Sequence, residues 1–477
     1  MGISPVPQGV NMIKDVFPDL EATLKQALLK GVSYADARFQ LIDSEQVTVD
    51  EGSLRTYSSR RFSGVGVRVA LGKRIGFAAT SDLTSKGLLQ AVDNALASAK
   101  PLVERKKGFE QVEVNTEKAV LPVKKDPFAV PPEEKVSLTL DANKSAKTSE
   151  DIRNVLTTLG MERDFRWFIS TEGADVTVDN TAVGLTHSSS AKVKGVMERV
   201  RHARGWCAGY EFIEAQNWNT FTEELSSLAI ESAGSKTPPP GTYPVVVPPR
   251  VIGLVLHEAF GHASEGDYVY TGESVLYGKL GARLASDLVT IVDQGVVEGG
   301  RFLPFDDEGI KKQKTMILDH GVMSGYIHDR NSSSQFGVSS TGNGRAQDFE
   351  NAPVVRQTNY CLEPRNHGFE EMLEGIDYGI YLGGIGGGGG QVSVGTGTFT
   401  FGVGPSRVIR KGELAETVRG VVISGLVLET LKTIDAVGKD FQVNTSVFGG
   451  CGKKNQTARC GMGGPHVRVR QMTIGGR

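Results

Sequence analysis

No excess of either charge sign exists in these 477 residues. Fifty-three lysines and arginines stand against 55 aspartates and glutamates, a formal net of −2. No broad field of one sign therefore draws the chain to nucleic acid or to an anionic membrane surface. No run of about 18 apolar residues is present to span a bilayer, and no N-terminal segment joins a basic start, an apolar stretch and a small-residue cleavage site. The expected location is the cytoplasm. Cysteine is scarce: Cys207, Cys361, Cys451 and Cys460 follow no disulfide-framework spacing, and in a reducing compartment they are thiols available to a metal. The run Gly383 to Gln391 lacks the lysine, strand and helix start that a P-loop or dinucleotide turn requires, which sets nucleotide binding aside.

Glycine is plentiful. Fifty-nine of 477 residues are glycine, against roughly 7% in an average protein, and they concentrate after residue 380. Turns and close backbone approaches are expected there. A chain of this length exceeds what one core usually serves, so two domains are expected. The run Lys236-Thr237-Pro238-Pro239-Pro240-Gly241 is the clearest linker and divides residues 1–236 from 241–477.

The first domain reads as α+β. Helical spacing over 19–30 gives way to alternation over 35–79, which predicts an antiparallel meander, and Asp82 is placed to cap a helix running to Lys100. After a charged connection the order recurs: a helix over 133–147, strands over 152–212 and a helix over 222–233. In the second domain Tyr243–Val247 reads as a strand and Pro248-Pro249 as the start of a helix. Further strands are expected over 288–292, 314–318, 325–330 and 354–361, with a helix over 368–376 and alternation to the end. The second domain is expected to be mainly antiparallel and barrel-like, built around the helix that begins at Pro249.

That helix delivers His257-Glu258-Ala259-Phe260-Gly261-His262. Two imidazoles beside a carboxylate supply what a zinc-activated water needs, namely ligands for the ion and a base for the proton. The familiar zincin pattern has its histidines four apart on one helix face, whereas these are five apart. On a regular helix five residues turn the second ring by roughly 140° from the first. A shared metal therefore predicts a π-bulge or an unwound helix end, with Gly261 as the residue permitting the distortion. Otherwise His257 and His262 are unrelated polar residues at a helix end.

For a third ligand the sequence offers Glu265 and Asp267 just behind the histidines, and the distant Cys451 and Cys460. Cys451 stands out in Gly449-Gly450-Cys451-Gly452-Lys453, where glycines permit a tight turn and Lys453 is placed to lower the thiol pKa. Glu265 and Asp267 fit better as partners that orient the imidazoles. Gly389 and Gly390, without side chains, can let a substrate backbone approach closely. His187, His202, His320, His328, His367 and His466 have no partner at metal spacing and read as surface or capping residues. His328 is the one candidate substrate contact, and Arg330 beside it the candidate partner of a peptide carboxylate.

The run PGTYPVVVPPRVIGLVLHEAFGHASEGD over 240–267, FDDEG over 305–309, the section from DYGIY to GGQV over 377–392, and GGCGK followed by GGP and a terminal IGG together resemble the TldD/PmbA family of metallopeptidases. In the first domain the likeness rests on GVGVRVALGKRIGFAATSDL over 64–83. The full set of motifs resembles the catalytic, TldD-type members. The resemblance implies one zinc per active site held by His257, His262 and Cys451, with Glu258 as general base, acting on small or unfolded peptides. It also implies a homodimer, or a heterodimer with a related non-catalytic TldE/PmbA-like subunit. Two other functions compete: a non-catalytic peptide-binding or regulatory subunit with a structural metal, and a metal-dependent hydrolase of non-peptide amides.

Overall fold

The computed structural model describes residues 20–103, 107–386 and 389–476. Asp19 at the head of the expected first helix, and Gly387 and Gly388 of the glycine run, lie outside that set.

The first half is built on seven strands: Tyr34–Asp50 (β1), Ser53–Leu71 (β2), Arg74–Thr80 (β3), Thr116–Val120 (β4), Ile152–Ser170 (β5), Asp175–Val193 (β6) and Val196–Trp206 (β7). Their order is β3-β2-β1-β5-β6-β4, with β7 also paired to β6. The expected meander is β1 to β3, and β5 repeats it beside β1 in antiparallel register, Phe39 opposite Trp167 and Leu41 opposite Phe165. Alternation then separates two faces. Ala35, Ala37, Phe39 and Leu41 turn inward with Val65, Val67 and Trp167, under the helices 20–29 and Ser85–Ala99. Farther along the same long strands, Val47, Leu159, Met161, Val183 and Leu185 are covered by helices Pro132–Ser145 and Trp218–Gly234. Thr84, rather than Asp82, caps the second helix by accepting from Gly87 N. Asp82 instead accepts from Thr84 N at 3.1 Å, two residues before the cap position.

The intervening residues Asp36, Arg38, Gln40 and Arg68 are buried on the opposite face, where they meet the second half. Arg68 pairs with Asp36 and with Glu308, and Asp307 lies between Arg166, at 2.6 Å, and Arg38, at 3.8 Å. Gly64 and Gly66 allow this close docking. A Cβ on Gly64 would stand 2.2 Å from the Phe349 ring, and one on Gly66 would stand 2.4 Å from the Phe349 carbonyl oxygen.

Among the described residues the second half holds a nine-stranded and a six-stranded sheet, and the whole is a mixed α+β, strand-rich fold with curled, largely antiparallel sheets. Gly241–Val247 (β8) lies inside the larger sheet between Val467–Gly476 and Tyr378–Tyr381, and Gly389–Ser393 forms one edge of it. The expected strand over 325–330 is absent. Ile327 makes only an isolated bridge to Glu265, and Arg330 begins helix Arg330–Phe336 behind an Asp329 capping box, an N-cap signal that outweighs the local apolar alternation. No helix of the described residues is long and apolar enough to cross a membrane.

Candidate metal centre

The helix that leaves β8 starts as expected at Pro248 and Pro249 and is α-helical through Val255. Over Leu256–Gly261 it widens into a π turn, and His262 N–H donates to the His257 carbonyl five residues back. The spacing predicted this bulge. With the ladder running i to i+5, the two imidazoles fall on one side, ring centroids 5.2 Å apart and inclined by 74°. Gln357 Nε2 also donates to the His257 carbonyl at 3.0 Å. Gly261 has ordinary helical angles (φ −62°, ψ −50°), so strain does not explain it. A Cβ there would lie 2.1 Å from Gln357 Oε1, and glycine is needed to admit that side chain.

Nearly two hundred residues later, Cys451 opens a hairpin, Cys451–Lys453 against Gln456–Ala458, turned by Lys454 and Asn455 at positive φ (48° and 61°). Arg356 donates to the Cys451 carbonyl and to that of Gln456, one on each strand of the hairpin. The Cys451 sulfur reaches to 2.9 Å from His262 Nε2. Ligand atoms of His257, His262 and Cys451, all buried, lie within 4.8 Å of one another. Two imidazoles and a thiol so grouped are a donor set that could hold one zinc-like ion.

Charge in the surroundings supports that set. Burial opposes the Cys451 thiolate, but the facing His257 and His262 rings outweigh it and bring its pKa down to about 5. His262 Nδ1 donates to Glu265 at 3.1 Å, and Lys453 Nζ donates to the same fully buried carboxylate at 2.8 Å. Although burial disfavours its charge, Lys453 and His262 hold Glu265 at about 2. Glu258 differs from its neighbours. Its side chain keeps 31% of its surface accessible, and its Oε2 lies 3.8 Å from His262 Nε2.

Of these groups His257, Glu258 and Cys451 border a cleft of about 440 Å³ between the two halves, whereas His262, Glu265 and Lys453 are not part of its lining. The second half contributes His257, Glu258, Cys451 and Cys460, and β7 contributes Arg201 and His202.

Comparison with known proteins fits this arrangement. Residues 240–476 match the PmbA/TldA metallopeptidase C-terminal domain, 35–99 match domain 1 and 125–234 match the central domain. A protein named metalloprotease from Methanothermobacter thermautotrophicus is 32% identical over 447 residues, covering 93% of this chain and 96% of its own. The chain belongs to the TldD/PmbA metallopeptidase family. A zinc metalloprotease TldD homolog from Saccharolobus solfataricus is 28% identical over 467 residues, 95% of this chain and 99% of that one. The crystal structure of TldE from Thermococcus kodakarensis shares the fold, with a TM-score of 0.78 at 18% identity over 96% of this chain and 100% of that one.

Within this family member the remaining candidates fall on both sides of the expectation. Glu265 touches His262 directly, whereas Asp267 acts through Lys453, at 2.7 Å, and touches neither imidazole. Lys453 is engaged by these two carboxylates, and the groups that chiefly depress the Cys451 pKa are the two imidazoles. Gly389 lines the cleft. Gly390 is required by its own sheet, since a Cβ there would stand 2.2 Å from Phe401. His328 and Arg330 do not line the cleft. His328 is buried against Phe336 with Nδ1 3.1 Å from Ser332, and burial lowers its pKa to about 4. Arg330 bonds Glu172 and the Glu110 carbonyl beneath Tyr34 and joins the two halves. The expected strand end is in fact a helix start, which turns both side chains inward.

Two of three further neighbours, His202 and Arg250, escaped the sequence reading as parts of the site, and the third, Cys460, was offered there only as a possible ligand. Cys460 lies beside the His257 ring, its sulfur 3.8 Å from Nδ1 and 4.0 Å from Nε2, and stands outside the three-residue group. His202, read as a surface residue, forms part of the cleft wall, and Arg250 donates to its Nδ1 at 2.9 Å. Arg250 did carry a sequence signal: it precedes His257 by seven residues, two helical turns.

Proposed function

We propose that the protein is a zinc-dependent peptidase acting on small or unfolded peptides, with His257, His262 and Cys451 as the metal ligands and Glu258 as general base. The observation that carries this reading is the contrast inside one site: three buried donors converge, and the adjoining carboxylate alone stays open to the cleft. A structural zinc is usually enclosed by four protein ligands, whereas three ligands beside an accessible base suit a site that admits water and substrate.

When bound there, zinc supplies Lewis acidity toward a scissile carbonyl and makes a water more acidic. Glu258 takes the proton from that water and returns it to the departing amine. Glu265 fixes the His262 tautomer by accepting from Nδ1, leaving Nε2 as the ligand atom. A peptide lies extended along the edge strand Gly389–Ser393, whose first residue borders the cleft. The enclosed cleft admits flexible chains in preference to folded ones, and a second family subunit, identical or TldE/PmbA-like, completes the cytoplasmic enzyme.

The test is Glu258→Gln. Full zinc content with loss of peptide hydrolysis is expected, and sustained hydrolysis by the zinc-loaded variant would remove Glu258 from the reaction.

A further inference from the structure

The cleft has an unbalanced charge. Its lining includes three arginines, Arg201, Arg250 and Arg459, and one carboxylate, Glu258. Arg459 is paired with Glu162 outside the cleft, and Arg201 is solvent-exposed with its Nε 3.4 Å from the Thr186 hydroxyl. Arg250 is different. Half-buried, it forms one hydrogen bond, to His202 Nδ1 at 2.9 Å, and no ion pair with any described residue. Arginine only donates, so His202 must accept and is therefore a neutral imidazole. Burial and the nearby arginines keep it so, with a pKa lowered to about 3. A neutral acceptor orients the guanidinium without cancelling its charge. A partly desolvated cation of this kind has an unmet requirement for an anion.

Position gives the requirement a scale. Arg250 and His257 lie on one helix, seven residues apart. Seven residues bring two side chains back to the same face about 10 Å apart along the axis. An extended peptide advances about 3.3 Å per residue, so that distance spans about three residues.

We infer that Arg250, held by His202, binds a carboxylate of the substrate peptide two to three residues from the scissile bond. This rests on the peptidase reading above and narrows its substrate class. Two sources can supply the carboxylate. If it is the chain terminus, the enzyme trims two or three residues from the C-terminal end of oligopeptides. If it is an aspartate or glutamate side chain, cleavage falls at a fixed offset from an acidic residue.

The experiment uses one peptide sequence in three forms: free acid without acidic residues, its C-terminal amide, and the amide with one glutamate three positions from the cleavage site. Hydrolysis by the zinc-loaded protein gives kcat and KM, and fluorescence anisotropy gives affinity for Glu258→Gln, where turnover does not interfere. Loss of a charge-assisted hydrogen bond is expected to raise KM and Kd of the plain amide about tenfold to a hundredfold over the free acid, the glutamate form or both, whichever supplies the carboxylate. The glutamate form tells a side-chain source from a terminal one by regaining that affinity or failing to. In Arg250→Ala the ratio between carboxylate-bearing and plain peptides should fall to about one, with Arg250→Lys intermediate and zinc content unaltered in both. Equal KM and Kd for all three forms in the unsubstituted protein, or full discrimination surviving in Arg250→Ala, overturns the inference alone. Failure of the zinc-loaded protein to cleave any form, both alone and with a TldE/PmbA-like subunit added, overturns the peptidase reading together with it.

Discussion

Lys453→Met removes one charge from the network behind the metal donors, and the structure fixes what that costs. The Lys453 side chain is 1% exposed and donates to Glu265 at 2.8 Å and to Asp267 at 2.7 Å. Glu265 is wholly buried and depends on Lys453 and His262 to stay ionised. Methionine fills most of the lysine volume, so the change is almost purely electrostatic. Breaking a buried pair by removing one partner typically destabilises by about 3–5 kcal/mol. A Glu265 that takes up a proton in response no longer anchors His262 Nδ1, and loss of such an orienting partner typically weakens metal affinity about 10- to 100-fold. The neighbouring Lys454→Met is the control. Lys454 is 52% exposed and pairs with Asp267 alone, so at most about 1 kcal/mol and no change in zinc affinity are expected. Urea unfolding of the metal-free proteins and zinc competition against a chromophoric chelator measure both quantities. If Lys453→Met matches Lys454→Met in both, the buried network does not support the site and the reasoning is wrong.

Cys451→Ser should lose most of its zinc after dialysis, whereas Cys460→Ser, altered outside the three-residue group, should retain it. Equal zinc content by mass spectrometry would reject that division of roles. His187 bonds Thr157 at 2.8 Å and Ser189 at 2.7 Å, and burial lowers its pKa from 6.5 to about 4. As pH falls below 6.5 the unfolded chain binds a proton there that the folded protein refuses until about pH 4. Stability is therefore lost across that window, by up to about 3 kcal/mol at 1.36 kcal/mol per pH unit. Urea midpoints taken from pH 7 to pH 4 should fall less steeply in His187→Gln; identical slopes would show that His187 does not contribute.

Much of the architecture was legible because it follows from short-range rules. Alternation in β1 and β2 put Phe39 and Val67 on the helix-covered face, and the five-residue histidine spacing required the π turn over Leu256–Gly261. The pairing of Cys451 with those histidines needed the family resemblance, since no local pattern links residues 189 positions apart. What stayed hidden depends on neighbours brought together by folding. Gly261 makes room for Gln357, Lys453 serves Glu265 instead of the thiol, and Cys460 approaches His257 because Gly461 pairs with Asn359 in a parallel ladder. His328 and Arg330 misled for the same reason. Their polar context at the end of an expected strand suggested accessible side chains, whereas a capped helix start buries both against the protein's own side chains.

X-ray absorption at the zinc edge of the unsubstituted protein tests the central claim most directly. The account predicts one sulfur at about 2.3 Å and two imidazole nitrogens at about 2.0–2.1 Å, with a light oxygen donor in the fourth place. A spectrum without sulfur, or one in which four protein donors close the shell, would contradict it.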